Sequence, residues 1–226
     1  MKKIIVLALV ALMMASCSEK VTTRLVQYPK MYEEKPLSIA VMPPINQTNH
    51  VEAKDYFYTT LYAPLCEKGY YVYSPMMTME MFQMESAYDA EQFIEADLSQ
   101  FRNVLGADAC MFTIIKSWKR NNVGGSLTAG VEYVLRSTKT GETLYQREGL
   151  ITLDTSVNSG NKGLFGALVD LAATAIKTAA TDKVVAGRYC TVYVLSDMPE
   201  GKYGLQYEKD QSRPAGAKYV KATLTY

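Results

Sequence analysis

The sequence predicts an α/β domain in which a mixed β-sheet is flanked by helices. Two observations carry this prediction: a strand, a helix and a strand follow one another from residue 37, and two alternating strands follow from residue 127. A long apolar stripe at helical spacing comes after them. With 48% hydrophobic and 21% charged residues, a chain of this length can bury the core that such a sheet needs.

The first strand is predicted at residues 37–42, an apolar run that ends at two prolines. Residues 51–68 carry apolar side chains at helical intervals; Pro64 is expected to kink or shorten this helix, and Gly69 to end it. Residues 70–73 form a second short strand. Because a helix between two strands favours parallel pairing, the fold is expected to begin with a βαβ unit.

Helical sequence and a third strand come next. Residues 76–84 predict a methionine-rich helix, and residues 89–105 predict two helices or one broken helix that ends at Gly106. Residues 107–118 then form an apolar strand.

An antiparallel hairpin is predicted after this strand. Apolar residues alternate from 127 to 135, a second strand covers residues 142–153, and residues 138–141 supply the turn.

The longest helix is predicted at residues 163–184, where leucines and alanines form a stripe that should pack on the sheet. After Gly187, we expect a strand-rich C-terminal extension. Its final strand covers residues 219–226, and the sequence leaves the pairing of that strand open.

The N-terminus predicts a lipoprotein signal peptide. Two lysines follow Met1, residues 4–14 are apolar, and the small residues Ala15 and Ser16 precede Cys17. The apolar run is too short to span a bilayer, which needs about 20 residues. We therefore expect cleavage before Cys17 and attachment of acyl chains such as palmitate to that residue, with a plain secretory signal as the alternative.

These observations divide the chain into four parts. They are a signal peptide at residues 1–16, a lipidated tether at 17–36, an α/β lipoprotein domain at 37–187 and a C-terminal extension at 188–226. An aspartate directly after the lipidated cysteine resembles an inner-membrane retention signal. This chain has Ser18 at that position instead, so we expect the protein at the periplasmic face of the outer membrane. Glu19 leaves surface exposure open.

The charge balance argues against nucleic acid as a partner. The formal charge is +1, and loss of Lys2 and Lys3 with the signal peptide changes it to −1. A near-neutral chain has no broad attraction for phosphate backbones.

Few residues could carry catalysis. The chain has one histidine, His50, in a predicted loop, and Cys66 and Cys110 lie in apolar patterns that disfavour a thiolate. A Cys66–Cys190 disulfide stays open. We predict no catalytic residue, no cofactor and no metal site, so the protein is not expected to be an enzyme. The glycines of residues 160–166 match no complete phosphate-binding motif and are interpreted as turn and packing residues.

A run of methionines offers one alternative. Met76, Met77, Met79, Met81 and Met84 are thioethers, which bind cuprous ion, but methionine also fills irregular cores and adaptable interfaces. Packing or partner contact is the preferred interpretation. Tyrosine between glycine and lysine in residues 202–207 is likewise typical of an amphipathic surface or of a strand edge.

Several segments together resemble domain-of-unknown-function family 799, a family of bacterial lipoproteins. The matching segments are residues 39–46, 62–65, 69–73, 105–109 and 134–145. That family is similar, more distantly, to envelope lipoproteins with a domain like that of TolB, including the curli-secretion lipoprotein CsgG. The resemblance implies an α/β sandwich and no catalytic residue.

The resemblance implies an accessory or scaffold role in outer-membrane assembly or secretion. Expected partners are the membrane, through acyl chains on Cys17, and other envelope proteins, among them a CsgG-like lipoprotein; homo-oligomerisation stays open. The alternatives are a solute- or copper-binding lipoprotein and an envelope enzyme.

Overall fold

The computed structural model describes residues 22–84, 90–121, 126–154 and 183–225. A seven-stranded mixed sheet runs through these residues, in the order β3-β1-β4-β5-β6-β7, with β2 also paired to β4. The strands are β1 Ser38–Val41, β2 Ile45–Asn46, β3 Tyr71–Val72, β4 Ala109–Asn121, β5 Ser126–Ser137, β6 Thr143–Asp154 and β7 Tyr219–Thr225. The helices are α1 Arg24–Gln27, α2 Pro29–Glu34, α3 Ala53–Tyr58, α4 Tyr62–Glu67, α5 Pro75–Met84, α6 Ser99–Leu105 and α7 Lys183–Val194, with a 3₁₀ turn at Ala90–Gln92.

The predicted βαβ start is confirmed. Strand β1 pairs in parallel with both β3 and β4. Ile39 and Val41 lie in one apolar cluster, whereas Ala40 and Met42 lie in a second. Because successive side chains of a strand point to opposite faces, β1 is covered on both faces, which explains its unbroken apolar sequence.

The helix predicted at residues 51–68 is divided into α3 and α4, with the break at residues 59–61. Pro64 provides the physical reason. In a continuous helix its ring would clash with the carbonyl group of Thr60, four residues earlier, so the chain leaves helical geometry before the proline. Pro64 itself lies in the first turn of α4.

The next helices and the hairpin also follow the sequence. Helix α6 ends at Gly106, whose φ of 72° is the left-handed conformation that glycine adopts at helix ends. Strands β4, β5 and β6 are antiparallel, with a bulge between Ile115 and Ser117. The turn at residues 138–141 joins β5 to β6 as predicted.

Two predictions about the ends of the chain are wrong. Residues 22–36, predicted as the second half of a tether, instead contain α1 and α2. Tyr28, the N-cap of α2, and Met31 within α2 are buried in the core. The boundary of the α/β domain, predicted at residue 187, is also wrong, because it falls inside α7, which runs from Lys183 to Val194.

Packing explains why α7 continues. Ala186, Cys190 and Val194, which repeat at four-residue spacing, are all buried, so the helix places one face in the core. Gly187 is needed for close approach: a Cβ atom there would lie 3.2 Å from Thr60 Cγ2 and 3.3 Å from the Tyr56 carbonyl oxygen.

The C-terminal extension contains less strand than predicted. Within residues 188–225 the structure has the end of α7, turns, and one strand, β7, which pairs in parallel with β6. Five glycines and prolines between residues 199 and 216 account for the turns. The helix predicted at 163–184 and the glycine-rich residues 160–166 fall outside the described residues, except for the start of α7.

Candidate functional site

The two ends of the described chain meet in a contact between residues 22–36 and residues 195–217, which we call the terminal clasp. The Ala215 amide donates to the Thr22 carbonyl oxygen at 2.7 Å, and Thr23 forms a β-bridge with Pro214. The Arg24 amide donates to the Arg213 carbonyl oxygen at 2.9 Å. Backbone hydrogen bonds therefore join residues 22–25 to residues 211–215.

The first buried ion pair of the terminal clasp joins Arg24 to Asp210. The Arg24 guanidinium lies 2.8 Å from Asp210 Oδ2, and the Asp210 side chain is fully buried. Asp210 also accepts hydrogen bonds from the Glu200 amide at 3.0 Å and from the Tyr32 hydroxyl at 3.1 Å. These donors replace the water that the carboxylate loses on burial.

The second buried ion pair joins Arg147 of β6 to Asp197 at 3.0 Å. Asp197 accepts three further hydrogen bonds, from the Tyr28 hydroxyl at 2.8 Å, the Tyr145 hydroxyl at 3.0 Å and the Gly216 amide at 2.8 Å. This carboxylate therefore connects the sheet, the N-terminal helices and the C-terminal segment.

The tyrosines beside Asp197 stay protonated. Burial, followed by the charge of Asp197, raises the pKa of Tyr28 and the pKa of Tyr145 well above the ordinary value for a phenol. Both hydroxyls act as hydrogen-bond donors to the carboxylate, and neither can serve as a base near neutral pH.

Lys68 lies at the edge of the terminal clasp and donates to the carbonyl oxygens of Ser196 at 2.9 Å and Met198 at 3.1 Å. Burial, with a smaller contribution from Arg24, lowers the pKa of Lys68 to about 8. A lysine with a lowered pKa can act as a base, but this one is hydrogen-bonded to two backbone carbonyls and has the character of a structural donor.

The cysteines of the described residues carry free thiols, so the optional Cys66–Cys190 disulfide is absent from the structure. Burial raises the pKa of Cys110 and of Cys190 to about 12, and also raises the pKa of the partly exposed Cys66. These thiols are poor nucleophiles, as their apolar sequence contexts predicted.

His50 lies in an exposed turn, and the described methionines of α5 differ in burial. The His50 carbonyl oxygen accepts from Asn46 Nδ2 at 2.8 Å in an exposed turn. Met76 and Met77 are exposed, whereas Met79 packs against the first apolar cluster. Among the described residues, no group of three or more His, Cys, Asp or Glu side chains could hold a metal ion.

Exposed apolar side chains of β3, of the start of α5 and of the end of α6 form a set that we call the β3 surface. It contains Tyr71, Met76, Met77 and Val104, whose side chains are between 54% and 72% exposed. The Tyr71 ring packs edge-on against Tyr73 at a centroid distance of 5.2 Å, and the Tyr73 hydroxyl donates to the Leu105 carbonyl oxygen at 2.7 Å. These contacts connect the strand to the end of α6.

Little in the sequence indicates the terminal clasp. Arg24, Arg147, Asp197 and Asp210 each lie among polar or mixed neighbours, and Arg24 and Asp210 are 186 residues apart in the chain. The one usable signal is Arg147, a charge on the same face of β6 as the buried Tyr145 and Ile151. Cys17, the predicted lipidation site, lies outside the described residues. No helix in the described part of the chain has the length and apolarity needed to cross a membrane.

Comparison with known proteins gives one family. Residues 26–200 match the model of the family described as "Putative lipoprotein GNA1162-like". Among curated proteins, the chain is 25% identical over 183 residues to "Putative lipoprotein NMB1124/NMB1162" of Neisseria meningitidis serogroup B, covering 80% of this chain and 84% of the relative.

The solved structures that are similar to the chain include the following two. The crystal structure of lipoprotein GNA1162 from Neisseria meningitidis is 24% identical, with a TM-score of 0.49, and the match covers 63% of this chain and 99% of that one. A dodecamer of a PelC variant from Paraburkholderia phytofirmans is 15% identical, with a TM-score of 0.46, covering 73% and 90% of the two chains.

Proposed function

Because the chain belongs to the GNA1162-like lipoprotein family, we propose that it is a non-catalytic accessory lipoprotein that binds other envelope proteins. Acyl chains on Cys17 hold it at the periplasmic face of the outer membrane. Its role is that of a scaffold in outer-membrane assembly or secretion. The family 799 label, the likeness to CsgG and TolB, and a CsgG-like partner stay predictions.

The observation that carries the proposal is that the buried charges are paired within the fold, whereas tyrosine and methionine side chains are exposed on its surface. Asp197 and Asp210 each have an arginine and several hydrogen-bond donors, so their chemistry is used to hold the fold. The β3 surface instead leaves tyrosine and methionine side chains in solvent. Such side chains are enriched, and charged ones depleted, where proteins contact one another.

Anchoring strengthens weak contacts at this surface. A lipoprotein and its membrane-bound partner share a thin layer, so their effective concentration is high and a modest interface suffices. We therefore assign the β3 surface to a second envelope protein. The copper alternative stays a prediction: Met76 and Met77 are exposed, whereas Met79 packs against the first apolar cluster.

Photo-crosslinking in intact cells tests this function. A crosslinking amino acid replaces Met77 on the β3 surface or, as the control, Val51, which is 82% exposed in a different part of the fold. We expect a discrete adduct from position 77 only, in which mass spectrometry identifies an envelope protein, and we expect Tyr71→Asp to remove it. The same adducts from both positions, or adducts containing only copies of this chain, would contradict the proposal.

A further inference from the structure

The fold begins very close to the predicted lipid. Four residues, 18–21, separate Cys17 from Thr22, and Thr22 is already hydrogen-bonded to Ala215. The five Cα to Cα steps from Cys17 to Thr22 span at most about 18 Å when fully extended. The lipid attachment, which is part of the proposed function, therefore keeps this end of the terminal clasp near the membrane surface.

The residues around this entry point suit a lipid surface. Leu25 and Val26 of α1 are 42% and 70% exposed, although the neighbouring Arg24 is buried. The Leu25 amide donates to the Gln211 carbonyl oxygen at 3.1 Å, so α1 lies against the segment that carries the exposed Lys209 and Arg213. Apolar side chains beside basic ones are the combination that binds headgroups of anionic membranes.

The nearby acidic groups do not cancel this charge. Asp210 is buried and paired with Arg24, and Glu208 is paired with Lys35. We infer that α1, together with Lys209 and Arg213, forms a membrane-facing surface that rests on the headgroups of an anionic bilayer and fixes the orientation of the body.

The part of the sheet beside α3 lies away from α1, so Val51, two residues before α3, serves as a position outside the membrane-facing surface. Near α1, the Tyr28 ring lies 4.8 Å from that of Tyr145, whose neighbours across the sheet are Leu135 and then Met111. The Tyr56 ring of α3 lies 5.8 Å from Trp118. Met111 and Trp118 are seven residues apart on β4, which corresponds to about 20 Å along the sheet.

Val26 and Val51 form a matched pair for the test, because both are exposed valines. In a Cys66→Ser background, Val26→Cys or Val51→Cys carries an environment-sensitive fluorophore. The Cys66→Ser protein without a new cysteine, treated with the same fluorophore, checks for reaction of the buried cysteines. The lipidated full-length protein is reconstituted in vesicles of phosphatidylethanolamine and phosphatidylglycerol. Quenching is then measured with iodide in the water and with lipids spin-labelled at the headgroup.

We expect iodide to quench position 26 several-fold less than position 51, and the spin-labelled lipids to quench position 26 several-fold more. Co-flotation with the vesicles reports the anchor separately. Equal quenching at both positions on protein that floats would overturn the orientation and leave the anchor standing, as would protection of position 26 without lipid quenching. Protein that fails to float would overturn both the anchor and the orientation.

Discussion

The sheet and the terminal clasp hold the same molecule together by different means. Behind β4, β5 and β6 the core is apolar, with Leu135, Val131 and Ile151 completely buried. The interior of the terminal clasp instead contains two buried ion pairs and their tyrosine partners. An apolar core tolerates local change in proportion to the volume lost, whereas a buried charge network depends on every partner being present.

The largest expected effect comes from removing α1 and α2. A chain that begins at residue 37 lacks Arg24, Tyr28 and Met31, so Asp210 loses its buried counter-charge and the core loses two large side chains. The combined loss, about 5–10 kcal/mol, equals the whole stability of an ordinary domain. We expect this chain to be unfolded in circular dichroism and proteolysis.

A chain that begins at Thr22 is the control and is expected to fold. The contradicting result would be a cooperative unfolding transition in the shorter chain at the same denaturant concentration, as expected if residues 22–36 were only a tether.

The sequence predicted the apolar region better than the polar one. Alternation in β5 and β6 and the apolar run of β1 place side chains by local rules, so the mixed sheet and its hairpin could be predicted. Arg24 and Asp210 meet only because the chain folds back over 186 positions. No local period encodes such a meeting, and a segment with scattered charges, such as residues 22–36, therefore resembled a tether.

Helix α7 is a second element that local sequence preferences do not predict. Residues 189–195 are rich in β-branched and aromatic side chains, which favour strands. Burial of Cys190 and Val194 on one helical face outweighs that preference. Tertiary packing decided this element, and it left Gly187 inside the helix at a point of close contact.

Smaller losses of stability are expected from single substitutions in the terminal clasp and in the apolar core of the sheet. Asp210→Leu leaves Arg24 buried without a counter-charge and should destabilise the protein by about 3–5 kcal/mol in urea unfolding. Leu135→Ala in the sheet should cost a similar amount, about 2–5 kcal/mol, through the cavity it leaves.

The double variant Arg24→Met/Asp210→Leu distinguishes the loss of a counter-charge from the loss of packing. Apolar replacement of both charged side chains leaves no unpaired charge in the interior. We expect it to recover most of the stability lost in Asp210→Leu. Additive losses in the double variant would contradict this account, because they would mean that Arg24 and Asp210 are not energetically coupled.

The smallest expected effect is the pH dependence due to Lys68. Its pKa is about 8 when folded and 10.5 ordinarily, because burial and Arg24 outweigh the opposing charges of Glu200, Asp197 and Asp210. Between these values the unfolded chain binds more protons, so the contribution of Lys68 to stability rises with pH.

We therefore expect the free energy of unfolding of the parent, minus that of Lys68→Met, to rise between pH 7 and pH 10. The rise should be on the order of 1 kcal/mol, since the side chain is partly solvated. Taking the difference cancels titration shared by both proteins. A constant difference would mean that folding does not shift the pKa of Lys68, and a difference that falls with pH would mean that folding raises it.

Both proposals depend on the covalent lipid at Cys17, and intact-mass analysis of the N-terminal peptide measures it directly. Protein extracted from membranes should begin at residue 17 and carry the mass of a diacylglycerol and an amide-linked acyl chain, whereas Cys17→Ser should lose this mass and leave the membrane fraction. An unmodified Cys17 peptide from a parent protein that fractionates like the variant would contradict the account.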